Sequence, residues 1–202
     1  MKDIIITLIN KYGYFGILFL VAVENIFPPI PSEVILTFGG FLTTITKMNV
    51  FLVIVFSTLG SIIGAILLYL IGKLLDKDRL IKISNSKLGR KLHLKKQDIE
   101  KADAWFDTKG QKTVFICRFV PIVRSLISIP AGMSDMSFSK FLAYTSLGTL
   151  IWNSVLVILG SILGDNWEKI VSIFNVYSNI TLVALLILII LGVIYYKRKK
   201  RK

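Results

Sequence analysis

Two arginines and two prolines lie close together inside a long apolar stretch of this chain. The segment 117–133, CRFVPIVRSLISIPAGM, contains Arg118, Pro121, Arg124 and Pro130. An arginine at the centre of a transmembrane helix costs roughly 2.5–3.5 kcal/mol on insertion scales, and proline removes a backbone donor and clashes with the preceding turn. Such a segment is tolerated at membrane depth only where protein or a wet cavity surrounds it. The sequence therefore predicts a broken or re-entrant element that places cations where an anion must go.

Composition supports a membrane setting for this segment. The chain has 202 residues, of which 54% are hydrophobic, and a mean hydropathy of +0.70. Several apolar runs are long enough to cross a hydrocarbon core of roughly 30 Å. The net charge of +13 is concentrated at 73–112 and 197–202, beside apolar runs, so membrane topology and anionic lipid headgroups explain it better than nucleic acid does. We expect one membrane domain, 1–202, and no nucleic-acid partner.

Cysteine and histidine content limits the chemistry. The chain contains one cysteine, Cys117, and one histidine, His93. These residues can form neither an internal disulfide nor a Cys/His metal cluster. We therefore expect no metal and no cofactor.

The Pro-interrupted segment occurs twice. Residues 27–40, FPPIPSEVILTFGG, align with residues 119–132, FVPIVRSLISIPAG, at an offset of 92 positions. The apolar runs that follow also match at a slightly shorter offset, which places Gly72 on Gly160. Paired Pro-interrupted segments in corresponding halves point to the binding site of a transporter. The residues predicted to shape the two bends are Pro28, Pro29, Pro31, Pro121, Pro130 and Gly132.

The two copies differ in charge. Glu24 and Glu33 flank the first copy, whereas Arg118 and Arg124 occupy the second. Ser32 is predicted to cap a helix with Glu33 in its first turn, so Glu33 can serve a structural role as well as a functional one. Glu24 lies within an apolar helix, which favours a buried functional carboxylate.

The predicted fold class is an all-α membrane protein. The segments are an interfacial amphipathic helix at 1–11, a re-entrant hairpin at 12–46, a transmembrane helix at 50–75, a basic amphipathic cytoplasmic segment at 76–112, a second re-entrant hairpin at 113–136, transmembrane helices at 137–164 and 177–196, and a basic cytoplasmic tail at 197–202. If both Pro-interrupted segments are hairpins, the halves are inverted repeats whose tips meet near the midplane. The alternative is a first segment that crosses fully as a broken helix, and the flanking lysines do not decide between them.

A family resemblance rests on these same segments. ENIFPPIPSE at 24–33 and KTVFICRFVPIVRSLISIPAGM at 112–133 resemble the signatures of the DedA family, the bacterial branch of the SNARE-associated or VTT-domain superfamily. The resemblance covers roughly residues 12–164, and Ser125 stands where many members have threonine. It implies a multi-pass protein of the cytoplasmic membrane that moves a phosphate-headed lipid. Undecaprenyl phosphate and phosphatidylethanolamine are the lipids that the family suggests, and some members need the proton-motive force.

The resemblance implies functional roles for Glu24, Glu33, Arg118 and Arg124. Physical chemistry agrees, because arginine binds phosphate oxygens in a bidentate geometry. In this hypothesis the arginines hold the headgroup, the glutamates neutralise them when no lipid is bound, and protonation of one glutamate couples transport to protons. The alternative is a static buried salt-bridge cluster.

We expect a lipid translocase rather than an enzyme. Undecaprenyl phosphate is the first choice of substrate, returned across the membrane for carrier recycling in cell-envelope synthesis. A general phospholipid flippase or scramblase, a membrane lipid phosphatase, a non-transporting scaffold and an ion channel or exchanger remain alternatives. Lipid specificity, direction, ion coupling, the side of the N-terminus and assembly into a homo-oligomer stay open.

Overall fold

The secondary-structure elements of the described part of the chain are helices joined by turns and short connections. The structure is a computed structural model that describes residues 2–27, 31–75, 106, 110–121, 123–134, 136–167, 169, 171–173, 176–177, 179–184, 186–187 and 190. No β-strand occurs within these residues, so the predicted all-α class is confirmed for them. The helices are α1 (Lys2–Ile26), α2 (Ser32–Ile45), α3 (Val50–Leu74), α4 (Gln111–Cys117), α5 (Val123–Leu126), α6 (Ser128–Met133) and α7 (Phe138–Leu163), and α7 is followed by the 3-10 turn Gly164–Asn166.

Three helical segments of the described chain are long and apolar enough to cross a membrane. They are Ile4–Ile26 with 23 residues, Val50–Leu74 with 25 and Phe138–Asn166 with 29. At about 1.5 Å per residue, a straight helix of this length would be sufficient to cross the roughly 30 Å of a hydrocarbon core. The chain is therefore a multi-pass membrane protein. Helices α3 and α7 occupy the segments predicted to span at 50–75 and 137–164.

Helix α1 contains a kink at Gly13. The backbone there has φ 56° and ψ −128°, which is not helical, and glycine tolerates a positive φ without steric cost. The kink lies close to the expected boundary between the surface helix at 1–11 and the first arm at 12–27. The two parts follow each other through this kink rather than through a loop.

Glycines on α3 let α1 approach closely. A Cβ added at Gly60 would meet the carbonyl oxygen of Leu18, and one at Gly64 would lie 2.7 Å from the carbonyl oxygen of Ala22 and 2.5 Å from the Cβ of Asn25. Gly60 and Gly64 are four residues apart, the small-xxx-small spacing that lets two membrane helices pack closely. Later residues of α1 contact later residues of α3, so the two helices run parallel. The last turn of α1 lies beside the middle of α3.

Helices α2 and α7 cross through a reciprocal glycine contact. A Cβ at Gly40 would meet the carbonyl oxygen of Val157, and a Cβ at Gly160 would meet that of Thr37. The two backbones touch directly, which a larger residue would prevent. Beside this crossing lies the main apolar core of α1, α2, α3 and α7, and its fully buried members include Ile17, Ile35, Val53 and Leu156.

A second reciprocal crossing joins α3 and α6. A Cβ at Gly132 would meet the carbonyl oxygen of Tyr69, and a Cβ at Gly72 would meet that of Ile129. The contacting positions of the two crossings correspond in sequence. Thr37 and Gly40 map onto Ile129 and Gly132 at an offset of 92, and Tyr69 and Gly72 map onto Val157 and Gly160 at an offset of 88.

The segment predicted as one hairpin at 113–136 consists of three short helices. The backbone leaves α4 through turns at 118–121, where Pro121 supplies no amide hydrogen. Ile127, between α5 and α6, keeps right-handed helical dihedrals (φ −61°, ψ −21°), so these two helices form one nearly continuous arm. Pro130 is the third residue of α6 and so lies in its first turn, where proline is tolerated.

Several predicted features lie outside the described residues. They include Pro28, Pro29, His93, most of the basic segment at 76–112 and the tail at 197–202. Within the predicted span at 177–196, the described residues, which end at 190, are helical.

Candidate functional site: a buried cluster of arginines and carboxylates

The four charged residues predicted to form the site are all buried. The exposed fraction is 4% for Glu24, 7% for Glu33, 1% for Arg118 and 5% for Arg124. Glu24 lies close enough to Glu33 and to both arginines to interact electrostatically, and Arg124 interacts with Glu33 in the same way. Buried charges are costly unless they are paired or hydrogen-bonded. The structure therefore brings the charges of both sequence copies into one interior cluster.

Arg124 and Glu24 form an ion pair. Arg124 Nη2 lies 2.7 Å from Glu24 Oε1, and the second carboxylate oxygen accepts a hydrogen bond from Asn25 Nδ2 at 3.4 Å. The guanidinium carbon of Arg124 also lies 5.9 Å from the ring centroid of Trp152, within cation–π range. Arg124 is thus neutralised by one carboxylate and supported by one aromatic face.

Arg118 is held by uncharged groups. Its Nη1 donates to the backbone carbonyl of Arg124 at 2.6 Å, and its Nη2 donates to Ser128 Oγ at 3.0 Å and Thr145 Oγ1 at 2.8 Å. The guanidinium carbon lies 5.9 Å from the ring centroid of Phe141. No carboxylate of the described chain forms an ion pair with it. Arg118 is therefore oriented without being neutralised, which suits a residue that binds an anion.

Glu33 likewise has no ion-pair partner in the described ranges. It lies in the first turn of α2, as predicted, where the helix dipole favours a negative charge. The cluster therefore combines one closed ion pair with an arginine and a carboxylate that lack an ionic partner among the described residues.

The cluster lies halfway along the spanning helices. Glu24 occupies the last turn of α1, beside the middle of α3. On the opposite arm, a Cβ at Gly148 would lie 2.8 Å from Arg118 Cβ, so the end of α4 contacts the middle of α7. Helices α1 and α4 thus each end at or next to a charged residue that lies beside the middle of a long helix.

The predicted cap at Ser32 is wrong. Pro31 occupies the N-cap position with extended dihedrals (φ −78°, ψ 110°), and Ser32 is already the first helical residue. Its side chain therefore does not fold back to the free backbone amides of α2. The Ser32 hydroxyl is instead buried without a hydrogen-bond partner among the described residues.

Sequence reasoning missed several polar partners of the site. Ser128 and Thr145 orient Arg118, while Asn153 Nδ2 of α7 donates to Ser61 Oγ at 3.2 Å and to Thr58 Oγ1 at 3.5 Å on α3. Hydroxyl and amide side chains inside apolar helices were the available signal, because such groups usually face protein or a wet cavity. The described residues contain no group of three or more His, Cys, Asp or Glu side chains suited to a metal.

The described helices define a multi-pass membrane protein with a buried charged cluster beside the middle of its long helices. Comparison with known proteins gives its family. The VTT domain matches residues 30–162, and the chain belongs to this family, whose bacterial branch is the DedA family.

Three relatives illustrate the match. The chain is 52% identical over 200 residues to an "Alkaline phosphatase-like protein" of Lactococcus lactis subsp. lactis (strain IL1403), which covers 99% of this chain and 94% of the relative. It is 36% identical to "Undecaprenyl phosphate transporter A" of Staphylococcus aureus (strain NCTC 8325), with 100% and 99% covered. It is 32% identical over 153 residues to "Protein DedA" of Escherichia coli (strain K12), with 72% and 67% covered. No solved structure matches the chain.

Proposed function

We propose that this protein moves a phosphate-headed lipid across the cytoplasmic membrane, with undecaprenyl phosphate as the first candidate. The observation that carries the proposal is Arg118, a buried arginine whose hydrogen bonds within the described part of the chain all go to uncharged groups. An anion is the natural partner of such a group. The name of the S. aureus relative refers to undecaprenyl phosphate transport, which supports the same lipid here.

We further propose that the two halves are inverted repeats, each with a re-entrant hairpin. Two features support this arrangement. The glycine crossings of α2 with α7 and of α6 with α3 use corresponding positions in the two halves. Helix α1 is parallel to α3 yet ends beside its middle, as the descending arm of a hairpin would. Inverted repeats of this kind bind their substrate near the midplane, at the interface between the halves.

Transport then proceeds by exchange of ionic partners. With no lipid bound, Glu24 holds Arg124. When the phosphate arrives, Arg118 binds it first and Arg124 turns from Glu24 to the phosphate oxygens. Glu24, left beside the like charge of Glu33, takes up a proton, while the hydrocarbon tail stays in the bilayer. Moving one such charge across 100 mV is worth roughly 2.3 kcal/mol, so a proton gradient can drive the cycle.

The basic segments set the orientation in this proposal. Residues 76–112 and 197–202 face the cytoplasm, where anionic lipid headgroups attract lysine and arginine. The C-terminus is then cytoplasmic.

Headgroup accessibility in proteoliposomes tests the proposal. Vesicles containing undecaprenyl phosphate receive the wild-type protein, Arg118→Ala, or Lys47→Ala, which removes a surface cation far from the cluster. We expect movement with wild type and Lys47→Ala, stimulation by an inward-acid pH step, and loss with Arg118→Ala. Movement of phosphatidylethanolamine alone would keep the mechanism and change the substrate. Movement of neither lipid would favour a static cluster in a non-transporting protein.

A phosphatase is the second candidate, because a relative with 52% identity carries the name "Alkaline phosphatase-like protein". A buried arginine without an ionic partner would also suit a phosphoryl group in a hydrolytic site. Phosphate release from undecaprenyl phosphate by the purified protein separates the two activities. Release that is lost with Arg118→Ala and retained with Lys47→Ala would replace the transport proposal.

A further inference from the structure

Three buried hydrogen-bond donors near the charged cluster have no acceptor within the described chain. They are the hydroxyls of Ser32 and Ser125 and the Nε–H of Arg118. All three residues are at most 1% exposed. Native structures pair nearly all buried polar groups with protein or water, so each exception requires a physical reason.

Each of these donors belongs to a member of the charged cluster or to the residue next to a member in the chain. Ser32 directly precedes Glu33, whose carboxylate interacts with Arg124. Ser125 directly follows Arg124, and Arg118 is bonded to the backbone carbonyl of Arg124. The donors therefore come from α2, from α5 and from the turn after α4, the three parts of the chain that supply Glu33, Arg124 and Arg118 to the cluster.

A static salt-bridge cluster does not account for this set. Such a cluster needs only the ion pair of Arg124 with Glu24, whose atoms already lie 2.7 Å apart, and gains nothing from unpaired hydroxyls. An unmade hydrogen bond of a buried group costs free energy, whereas a ligand that brings several acceptor oxygens would satisfy all three donors together. Ser32 adds a further favourable feature, because the first turn of the 14-residue helix α2 presents backbone N–H groups beside it.

We propose that Ser32, Ser125 and Arg118 Nε–H bind the terminal oxygens of a phosphomonoester headgroup and select it over a phosphodiester. The inference rests on the proposed function and identifies the headgroup class. A phosphomonoester has three terminal oxygens and carries nearly two negative charges near neutral pH. A phosphodiester has two such oxygens and one charge. With a diester, one donor faces an ester oxygen or its substituent and stays poorly paired, which lowers affinity.

Binding of soluble analogues tests this without any transport step. The full-length protein in detergent is titrated with dodecyl phosphate, a monoester, and with methyl dodecyl phosphate, a diester. The variants are Ser32→Ala and Ser125→Ala. Ser57→Ala is the matched control, since Ser57 is fully buried but donates to the Ile54 carbonyl of its own helix at 3.0 Å.

We expect wild type to prefer the monoester. Each alanine variant should lose about tenfold in monoester affinity, the size of a hydrogen bond to a charged acceptor, and much less in diester affinity. Ser57→Ala should behave like wild type. Ser125→Thr, which retains the hydroxyl, should bind the monoester better than Ser125→Ala does. If an alanine variant does not fold, Ser→Cys at the same position keeps the volume, weakens the donor and should show the same selective loss.

The outcomes separate this inference from the proposed function. Unchanged monoester affinity in both hydroxyl variants, or equal losses for both esters, would overturn the inference and leave lipid transport standing. If wild type binds neither analogue, the proposed phosphate-headed substrate fails together with the inference.

Discussion

The carboxylate of Glu24 and the guanidinium of Arg124 lie 2.7 Å apart, although 100 positions separate the two residues in the chain. The pair joins the end of α1 to α5, so it connects the two Pro-interrupted segments of the chain. Because both side chains are buried, removing one of them leaves an unpaired buried charge and should destabilise the fold strongly. Removing both leaves no such charge and should destabilise the fold less. A double variant that is stable therefore shows, by whether it still transports lipid, whether the pair serves the fold alone or also the function.

Single and double neutralisation of this pair should affect stability and transport differently. Glu24→Gln or Arg124→Gln alone leaves a buried charge without its partner, and each should lower the free energy of unfolding by about 3–5 kcal/mol. The double variant should recover most of that loss, since the glutamine amides can bond each other. Unfolding of the detergent-solubilised protein measures stability, and the proteoliposome assay measures transport. Lipid movement should be absent from all three variants. A double variant that transports would refute the ionic exchange.

Arg124→Lys should retain the fold and lose the activity. Lysine keeps the positive charge beside Glu24, so the free energy of unfolding should fall by no more than about 1 kcal/mol, but its point charge cannot bind phosphate in a bidentate geometry. We expect transport at least about tenfold slower than wild type. Lys47→Arg, an exposed change of the same kind, is the control for general effects of the exchange. Wild-type transport in a folded Arg124→Lys protein would favour the static cluster.

The sequence predicted the features that depend on neighbouring residues, such as the burial of a charged side chain. It did not predict which residues from distant segments contact each other. Glu24 and Arg118 were predicted as buried because a charged side chain inside an apolar run must face protein or a wet cavity. The ion pair of Arg124 with Glu24 joins residues 100 positions apart and depends on the turn at 118–121, so periodicity could not assign it. The Ser32 cap failed for a local reason, since Pro31 took the N-cap position.

The same limit applies to helix packing. The pair Gly60 and Gly64 indicates close packing through its spacing. The pairing of Gly40 with Val157 is a long-range contact and follows only from the fold.

Thr145 should be a positioning residue for Arg118. Thr145→Val removes an acceptor of a buried charged donor, which should lower the free energy of unfolding by about 1.5–3 kcal/mol and weaken dodecyl phosphate binding. Thr149→Val is the matched control one turn away, because the Thr149 hydroxyl donates to the Thr145 carbonyl within the same helix. The control should change stability by less than about 1 kcal/mol. Equal effects of the two substitutions on stability and binding would show that Thr145 acts through packing alone.

The two glycine crossings should respond alike to alanine. Alanine favours a helix by about 1 kcal/mol over glycine, but a Cβ at Gly40 or Gly132 would collide with the backbone of the facing helix. Backbone cannot move away as a flexible side chain can, so each substitution should lower the free energy of unfolding by about 1–3 kcal/mol. Thermal unfolding in detergent measures both variants.

Gly39→Ala is the control next in sequence to Gly40. Its Cβ would meet only side-chain atoms, Ile17 Cδ1 at 3.1 Å and Val53 Cγ1 at 3.3 Å, which can shift by a few tenths of an ångström. The expected change is therefore near zero or slightly stabilising, in contrast to both crossing variants. Since Gly40 and Gly132 occupy corresponding places in the two proposed repeats, similar losses at both support a shared architecture. A large loss at Gly40 with none at Gly132 would mean that the crossings are not equivalent, and the proposed repeat symmetry would then lose its main support.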